Sequence, residues 1–326
     1  MKLLWCGGLV WALVLGFAQA ASAKLERVQL FGTAYVRLED WAESLRLETK
    51  WIVPRQRVLA KNGAHSLEFT VDSRKLNFNG VNVWLSAPVA FSRGAAHVGY
   101  TDLNTALQPV LSPAKNLKSR PVKTICLDPG HGGKDSGNRD GKQQEKSYTL
   151  LLAKELSAEL VKKGFKVVLT RDRDITMDLP TRPALARKLN ADLFISLHFN
   201  ASAGRGAPPA SGVEVYCMTP AYTSSTNAGG EGAENGAFPG NRNDKKNMLL
   251  AYCVQKTLVK QLKVEDRGVR RGRFAVLRTA TMPAVLIEGG FLSNPAEARK
   301  IHNREYRQKL AETIAEGILA YKKAVE

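Results

Sequence analysis

The chain has 326 residues, room for two domains at roughly 100–200 residues each, and 44% apolar and 24% charged residues, which excludes wholesale disorder. It carries 48 Lys and Arg against 30 Asp and Glu, a formal charge of +18. That excess points to an anionic partner without choosing between nucleic acid, a membrane surface and an anionic polymer.

Lys2 precedes an apolar run from Leu3 to Phe17, followed by Ala18-Gln19-Ala20 and Ala21-Ser22-Ala23, each with the small-x-small form of a cleavage site. The run is short for a bilayer span and suits a signal-peptide core. Residues 1–23 therefore read as a signal peptide. The expectation is an exported chain in the periplasm or cell envelope, or secreted, with no stable membrane insertion after cleavage. Export argues against nucleic acid as the partner. Cys6 lies early rather than after the apolar core, so a lipoprotein anchor is not expected. Cys126, Cys217 and Cys253 are odd in number and sit in apolar runs without the spacing of a disulfide framework or a metal site. They read as small buried hydrophobes.

Residues 24–113 carry short β-rich runs at Val28–Phe31, Arg57–Ala60, Ser66–Val71, Leu76–Phe78 and Val81–Leu85, punctuated by Gly63, Gly80 and Pro88. A weak repeat is present. Tyr35 to Trp41 with Leu45 echoes His97 to Leu103 with Leu107, each an extended segment running into a short helix. Asp40 and Asp102 are placed to cap those helices. The expectation is a small β-rich α+β module, suited to wall binding or targeting. It loosely resembles the copper amine oxidase N-terminal-like module, but no cluster of His and Cys would hold copper. His65 and His97 read as ordinary polar or packing residues.

Ser112 to Pro121 is polar, basic and bounded by proline, which suits a linker over 114–121. Beyond it, strands are expected at Thr124–Leu127, Phe165–Thr170, Leu193–Leu197, Val213–Met218, Phe274–Leu277 and Ala284–Ile287. Helices are expected at Glu145–Lys163, Arg182–Leu189, Asp244–Leu262 and along a final stretch bearing Tyr306, Leu310, Ile314, Ile318 and Tyr321. Alternating strands and helices predict an α/β sheet with helices on both faces over 122–326, and its sites belong where strands end and loops begin.

Two of the five histidines sit at such ends. His131 lies in Asp128-Pro129-Gly130-His131-Gly132-Gly133, after the first strand, and His198 closes Leu193 to Leu197. Glu145 opens the long helix, and Glu288 ends the apolar run Ala284 to Ile287. Two imidazoles and one carboxylate make a three-ligand zinc site with an open position, and a second carboxylate supplies a general base. On spacing alone Glu145 and Glu288 are interchangeable. Each residue also has a plain structural reading: a hydrogen-bonded His, a Glu against a helix dipole, a Glu paired with Arg. Asp128 reads as a turn residue that orients His131.

The stretches Leu127-DPGHGGKDSG, Gln144-Glu145-Lys146, Leu169-TRDRD, Arg182-Pro183-Ala184, Ala191-DLFISLHFNAS, Ser211-GVEVY and Met282-PAVLIEGGFLSN resemble the zinc-dependent N-acetylmuramoyl-L-alanine amidases of bacterial cell walls, in order and over about 200 residues. The resemblance implies a three-layer α/β/α domain with a mostly parallel six-stranded sheet. It assigns one zinc ion to His131, Glu145 and His198, and catalysis to Glu288. It implies hydrolysis of the amide between N-acetylmuramic acid and L-alanine in peptidoglycan, with a protein activator as a further partner, in wall remodelling or daughter-cell separation. Asn200 is a candidate for positioning substrate. The Gly-, Asn- and Ser-rich stretch Thr219–Asn247 reads as a flexible, solvated loop, although Glu231 and Glu234 lie in it. A peptidase cutting within the stem and a non-catalytic wall-binding protein are the alternatives.

Overall fold

The computed structural model describes residues 25–116, 120–202, 210–226 and 236–326. The signal-peptide segment, Cys6, Glu231 and Glu234 lie outside the described residues, as does the centre of the proposed linker. Among the described residues no helix is long and apolar enough to cross a membrane.

The N-terminal part contains β1 (Val28–Leu30), β2 (Thr33–Arg37), α1 (Leu38–Ser44), β3 (Glu48–Val53), β4 (Arg57–Lys61), β5 (Ser66–Thr70), β6 (Lys75–Phe78), β7 (Val81–Trp84), β8 (Ala90–Ser92) and β9 (Ala95–Gly99). A helical run follows: α2 (Tyr100–Asp102), a π-helical stretch (Leu103–Leu107) and α3 (Gln108–Leu111). β1, β2, β9 and β8 form a four-stranded antiparallel sheet in that order. The two copies of the repeat are partners in it, with Val36 opposite Val98 and Arg37 opposite His97.

Neither Asp40 nor Asp102 caps its helix. Asp40 faces Arg37 at 3.7 Å. Asp102 is fully buried and turns back to accept the Ser86 and Ala87 amide N–H groups at 2.7 and 3.1 Å. A turn with two orphan donors outcompetes the helix end. Burial still pushes the Asp102 carboxyl upward against those bonds.

The C-terminal part contains β10 (Thr124–Pro129), the small hairpin β11 (Arg139–Asp140) and β12 (Gln143–Gln144), α4 (Glu145–Lys162), β13 (Lys166–Leu169), α5 (Thr181–Lys188), β14 (Leu193–Asn200) and β15 (Val213–Met218). Then come α6 (Asp244–Leu262), β16 (Asp266–Gly272), α7 (Ala275–Arg278), β17 (Ala284–Phe291), α8 (Pro295–His302) and α9 (Arg304–Val325). Six strands run in the order β13-β10-β14-β17-β15-β16, and every neighbouring pair is parallel except β15 with β17.

Side chains alternate across these strands. Ile125, Leu127, Ile195 and Val285 join the core with Leu152 and Leu156 of α4, Leu250 and Val254 of α6 and Leu310 and Ile314 of α9. Cys126, Phe194, Tyr216 and Leu286 face the other way, against Ala186 of α5 and Val276 and Leu277 of α7. The result is the expected three layers. The three described cysteines are free, and burial pushes the Cys126 and Cys253 thiols up to about 12.

The hairpin β11–β12, β16 and α8 are additional to the elements expected in this part, and one expected strand differs. Phe274–Leu277 is not a strand, because Ala275–Arg278 forms the short helix α7. A four-residue apolar run fits either element, and here burial of Val276 and Leu277 beneath the sheet selects helix. β16 had no apolar pattern to announce it, because its arginines are satisfied by distant partners.

β16 is also where the two parts join. It pairs in parallel with β7, Val269 opposite Val83, so that β7, β6, β5, β4 and β3 extend the sheet to eleven strands. Asn82 donates its amide N–H to Asp266 Oδ2 at 2.7 Å, and Trp84 Nε1 donates to the Arg267 carbonyl at 2.9 Å. The buried Arg271 reaches across to the Thr105 carbonyl at 2.9 Å. One apolar core runs through both parts.

Candidate metal centre

The site lies at the C-terminal ends of β10, β14 and β17. Gly130 leaves the space that the His198 ring fills, since a Cβ there would sit 2.2 Å from His198 Cε1. His131 follows in the left-handed region at φ +62°. Two buried arginines hold this strained turn. Arg171 donates to the carbonyls of Pro129, Gly130 and Lys146 at 2.8–3.0 Å, and Arg182 donates to those of Pro129 and His131 at 2.8–2.9 Å. Inward-turned carbonyls in a buried loop need donors, and a guanidinium supplies several in one plane.

His131 Nδ1 lies 2.8 Å from Asp135 Oδ2, which leaves Nε2 facing Glu145 Oε1 at 3.1 Å. His198 Nδ1 lies 3.0 Å from that same oxygen. The imidazoles stand nearly perpendicular, 4.8 Å between centroids. Glu145 is buried at the start of α4, and the amide N–H groups of Phe199 and Asn138 donate to its two oxygens at 3.0 and 2.9 Å. Burial works to raise its carboxyl, but the hydrogen bonds and charges of His131 and His198 prevail and hold it far below the ordinary range. One donor atom from each of His131, Glu145 and His198 lies within 4.8 Å of the others. Glu145 Oε1 lies 3.0–3.1 Å from a nitrogen of each imidazole, close to the edge of about 3.3 Å expected around a tetrahedral ion with ligands at about 2.0–2.1 Å. Two imidazole nitrogens and a carboxylate suit zinc, and the donor set fits.

Glu288 stands beside them, opposite His198 across the β14–β17 ladder. Its Oε2 is buried and accepts no hydrogen bond. Burial, then the charges of Glu145 and Glu214, push its carboxyl well above the ordinary value.

The sequence profile of the N-acetylmuramoyl-L-alanine amidases matches residues 125–320. The chain belongs to this family. Among its relatives is the amidase AmiC of Neisseria meningitidis serogroup B, 37% identical over 224 residues, which are 62% of this chain and 53% of the relative. The chain thus matches about half the length of that relative. The N-acetylmuramoyl-L-alanine amidase of Clostridium difficile 630 superposes with a TM-score of 0.51 at 36% identity, over 62% of this chain and 97% of that one. AmiC2 of Nostoc punctiforme gives 0.51 at 33%, again over 62% and 97%. The copper amine oxidase N-terminal domain profile matches residues 22–111.

Within this amidase fold the four residues singled out from the sequence share one cavity of about 340 Å³. Asp128 does not touch the His131 ring. Its carboxylate accepts Thr170 Oγ1 at 2.6 Å, Ser196 Oγ at 2.8 Å and Arg182 Nη1 at 2.9 Å, so it acts on His131 only through Arg182. The ring is held instead by Asp135, brought back by paired backbone bonds between Gly132 and Asp135 at 2.9 and 3.1 Å. Asn200 Nδ2 donates to Glu214 Oε1 at 2.7 Å, and Asn200 does not line this cavity. Glu214 also accepts the Tyr216 hydroxyl at 2.9 Å and pairs with Arg270 at 2.7 Å and Arg267 at 3.2 Å. It lies opposite Glu288 across the β15–β17 ladder. Sequence reasoning missed it; a lone Glu inside an otherwise apolar strand, Val213–Met218, was the available signal.

Of the stretch Thr219–Asn247, residues 227–235 lie outside the described residues, while 219–226 are held by hydrogen bonds. Arg74 of the N-terminal part donates to the Ser224 and Ser225 carbonyls at 2.7 and 2.9 Å, and Arg273 donates to the Pro220 carbonyl at 3.2 Å.

Proposed function

We propose that the chain is an exported, zinc-dependent amidase of the cell envelope that cleaves the bond between N-acetylmuramic acid and the L-alanine of the stem peptide. The observation that carries this reading is the His131–Glu145–His198 donor cluster facing an unpartnered Glu288 across one cavity.

In this reading His131, Glu145 and His198 hold the ion. Zinc at that position supplies Lewis acidity toward the scissile carbonyl and makes a water acidic near neutral pH. Asp135 fixes the His131 ring with Nε2 directed inward. The amides of Asn138 and Phe199 hold the Glu145 carboxylate in place. Glu288 accepts the proton of the attacking water and returns it to the departing alanine nitrogen. A carboxyl raised by burial and by two neighbouring carboxylates is suited to carrying a proton between those positions. The +18 charge provides attraction to the carboxylates of stem peptides and to the acidic polymers around them.

The test is mass spectrometry of digested sacculi with the zinc-loaded full chain. Free peptides beginning at L-alanine are expected, lost with a chelator and restored by zinc. Shortened stems still attached to muramic acid would identify a peptidase, and intact sacculi retaining the protein would identify a binding protein.

A further inference from the structure

The cavity lining is chemically divided. Beside its polar groups it exposes Leu179, Phe274, Ala275, Val276 and Leu286. Four of these have an evident structural reason. Val276 and Leu286 belong to the core beneath α7, Phe274 packs edge-on against Tyr216 at 4.9 Å, and Ala275 starts α7 beside them. Leu179 has none, with 51% of its surface exposed. A solitary exposed leucine is ordinary on a protein surface, but this one opens into the cavity that holds the metal-site donors.

Its position is also fixed. Leu179 lies in the turn entering α5, where Thr181 N–H donates to the Asp178 carbonyl at 3.1 Å and Arg182 N–H to the Leu179 carbonyl at 3.3 Å. The Arg182 side chain in turn holds the His131 carbonyl at 2.8 Å. The same residue that braces the His131 turn therefore sets where Leu179 stands. An apolar side chain carried on a braced backbone and lining the cavity of the metal-site donors is placed to read a small apolar substituent.

We propose that Leu179, together with Val276 and Phe274, forms a wall that receives a methyl group next to the scissile amide and makes Leu179 a specificity-determining residue. The inference rests on the amidase reading. N-acetylmuramoyl-L-alanine offers two such methyls, one on the lactyl group and one on alanine. Either satisfies the chemistry, and the substrates of the test separate them.

The test compares kcat/KM of the zinc-loaded full chain on an N-acetylmuramoyl-L-alanyl peptide, on its glycine analogue and on an analogue whose lactyl methyl is absent. Wild type is expected to favour the parent over one of the two by about tenfold or more. Leu179→Asn should bring that ratio close to one by slowing the parent substrate, with zinc content unchanged, whereas Leu179→Met should retain it. A Leu179→Asn enzyme that keeps the ratio, or slows equally on all three substrates, overturns the proposal. So does a wild type indifferent to both methyls. A wild type that leaves every muramoyl amide intact yet cuts within stem peptides refutes the amidase reading itself, and the wall assignment with it.

Discussion

The central strands β10, β14, β15 and β17 are buried on both faces, whereas β4 to β7 bury one face and leave the other half-buried or exposed in strict alternation. A charged side chain therefore means different things in the two regions. Arg57 and Glu68 pair at 2.9 Å on the open face of β4 and β5, with 45% and 35% of their side chains exposed. Asp128 and Arg182 pair at the same distance with 1% and 3% exposed. On a half-open sheet a charge is what the pattern requires, and it carries little information. Inside a doubly covered sheet an ionised pair needs close partners, and the Asp128–Arg182 pair braces the turn that carries His131.

Four substitutions put that contrast to the test. Glu288→Gln should lower kcat by about 10²–10⁴-fold, the range for loss of a general acid–base, while elemental analysis finds zinc retained. An active Glu288→Gln enzyme would remove Glu288 from the chemistry. Arg182→Leu leaves the Asp128 carboxylate buried without its cation and should cost about 3–5 kcal/mol in denaturant unfolding. Asp135→Ala frees the His131 ring and should weaken zinc by about 10–100-fold in a chelator competition, with little change in stability. Arg57→Ala should cost less than about 1 kcal/mol and leave activity untouched. If Arg57→Ala proved as damaging as Arg182→Leu, the distinction between the two regions would fail.

The same contrast explains what could be read from the sequence. Apolar runs in doubly buried strands are plain, so β10, β14, β15 and β17 stood out, and His131, His198 and Glu288 drew notice at their ends. β16 stayed hidden because Asp266-Arg267-Gly268-Val269-Arg270-Arg271-Gly272 reads as a polar loop until Trp84, Glu214 and Thr105 arrive from elsewhere in the chain. The exchange of Asp128 for Asp135 as the carboxylate beside His131 has a similar origin. A left-handed turn at His131 and the glycines after it fold Asp135 back onto the ring; the glycines announce a sharp turn, but not which carboxylate it returns to the imidazole. Asp102 was misplaced because an Asp near a helix start looks the same whether it serves that helix or a neighbouring turn.

The seam between β7 and β16 also sets an order of events. Asn82 and Asp266, bonded across it, are 184 residues apart in the chain. Loop closure over such a distance is slow, so this join forms after the local hairpins of β3 to β7 have paired. Until it forms, β7 and β16 each present a free strand edge, the form of exposed backbone that recruits other chains. Quantity of chain, more than strength of contact, thus governs the vulnerable interval: the edge of β7 has no partner until residues 266–272 of β16 have been made.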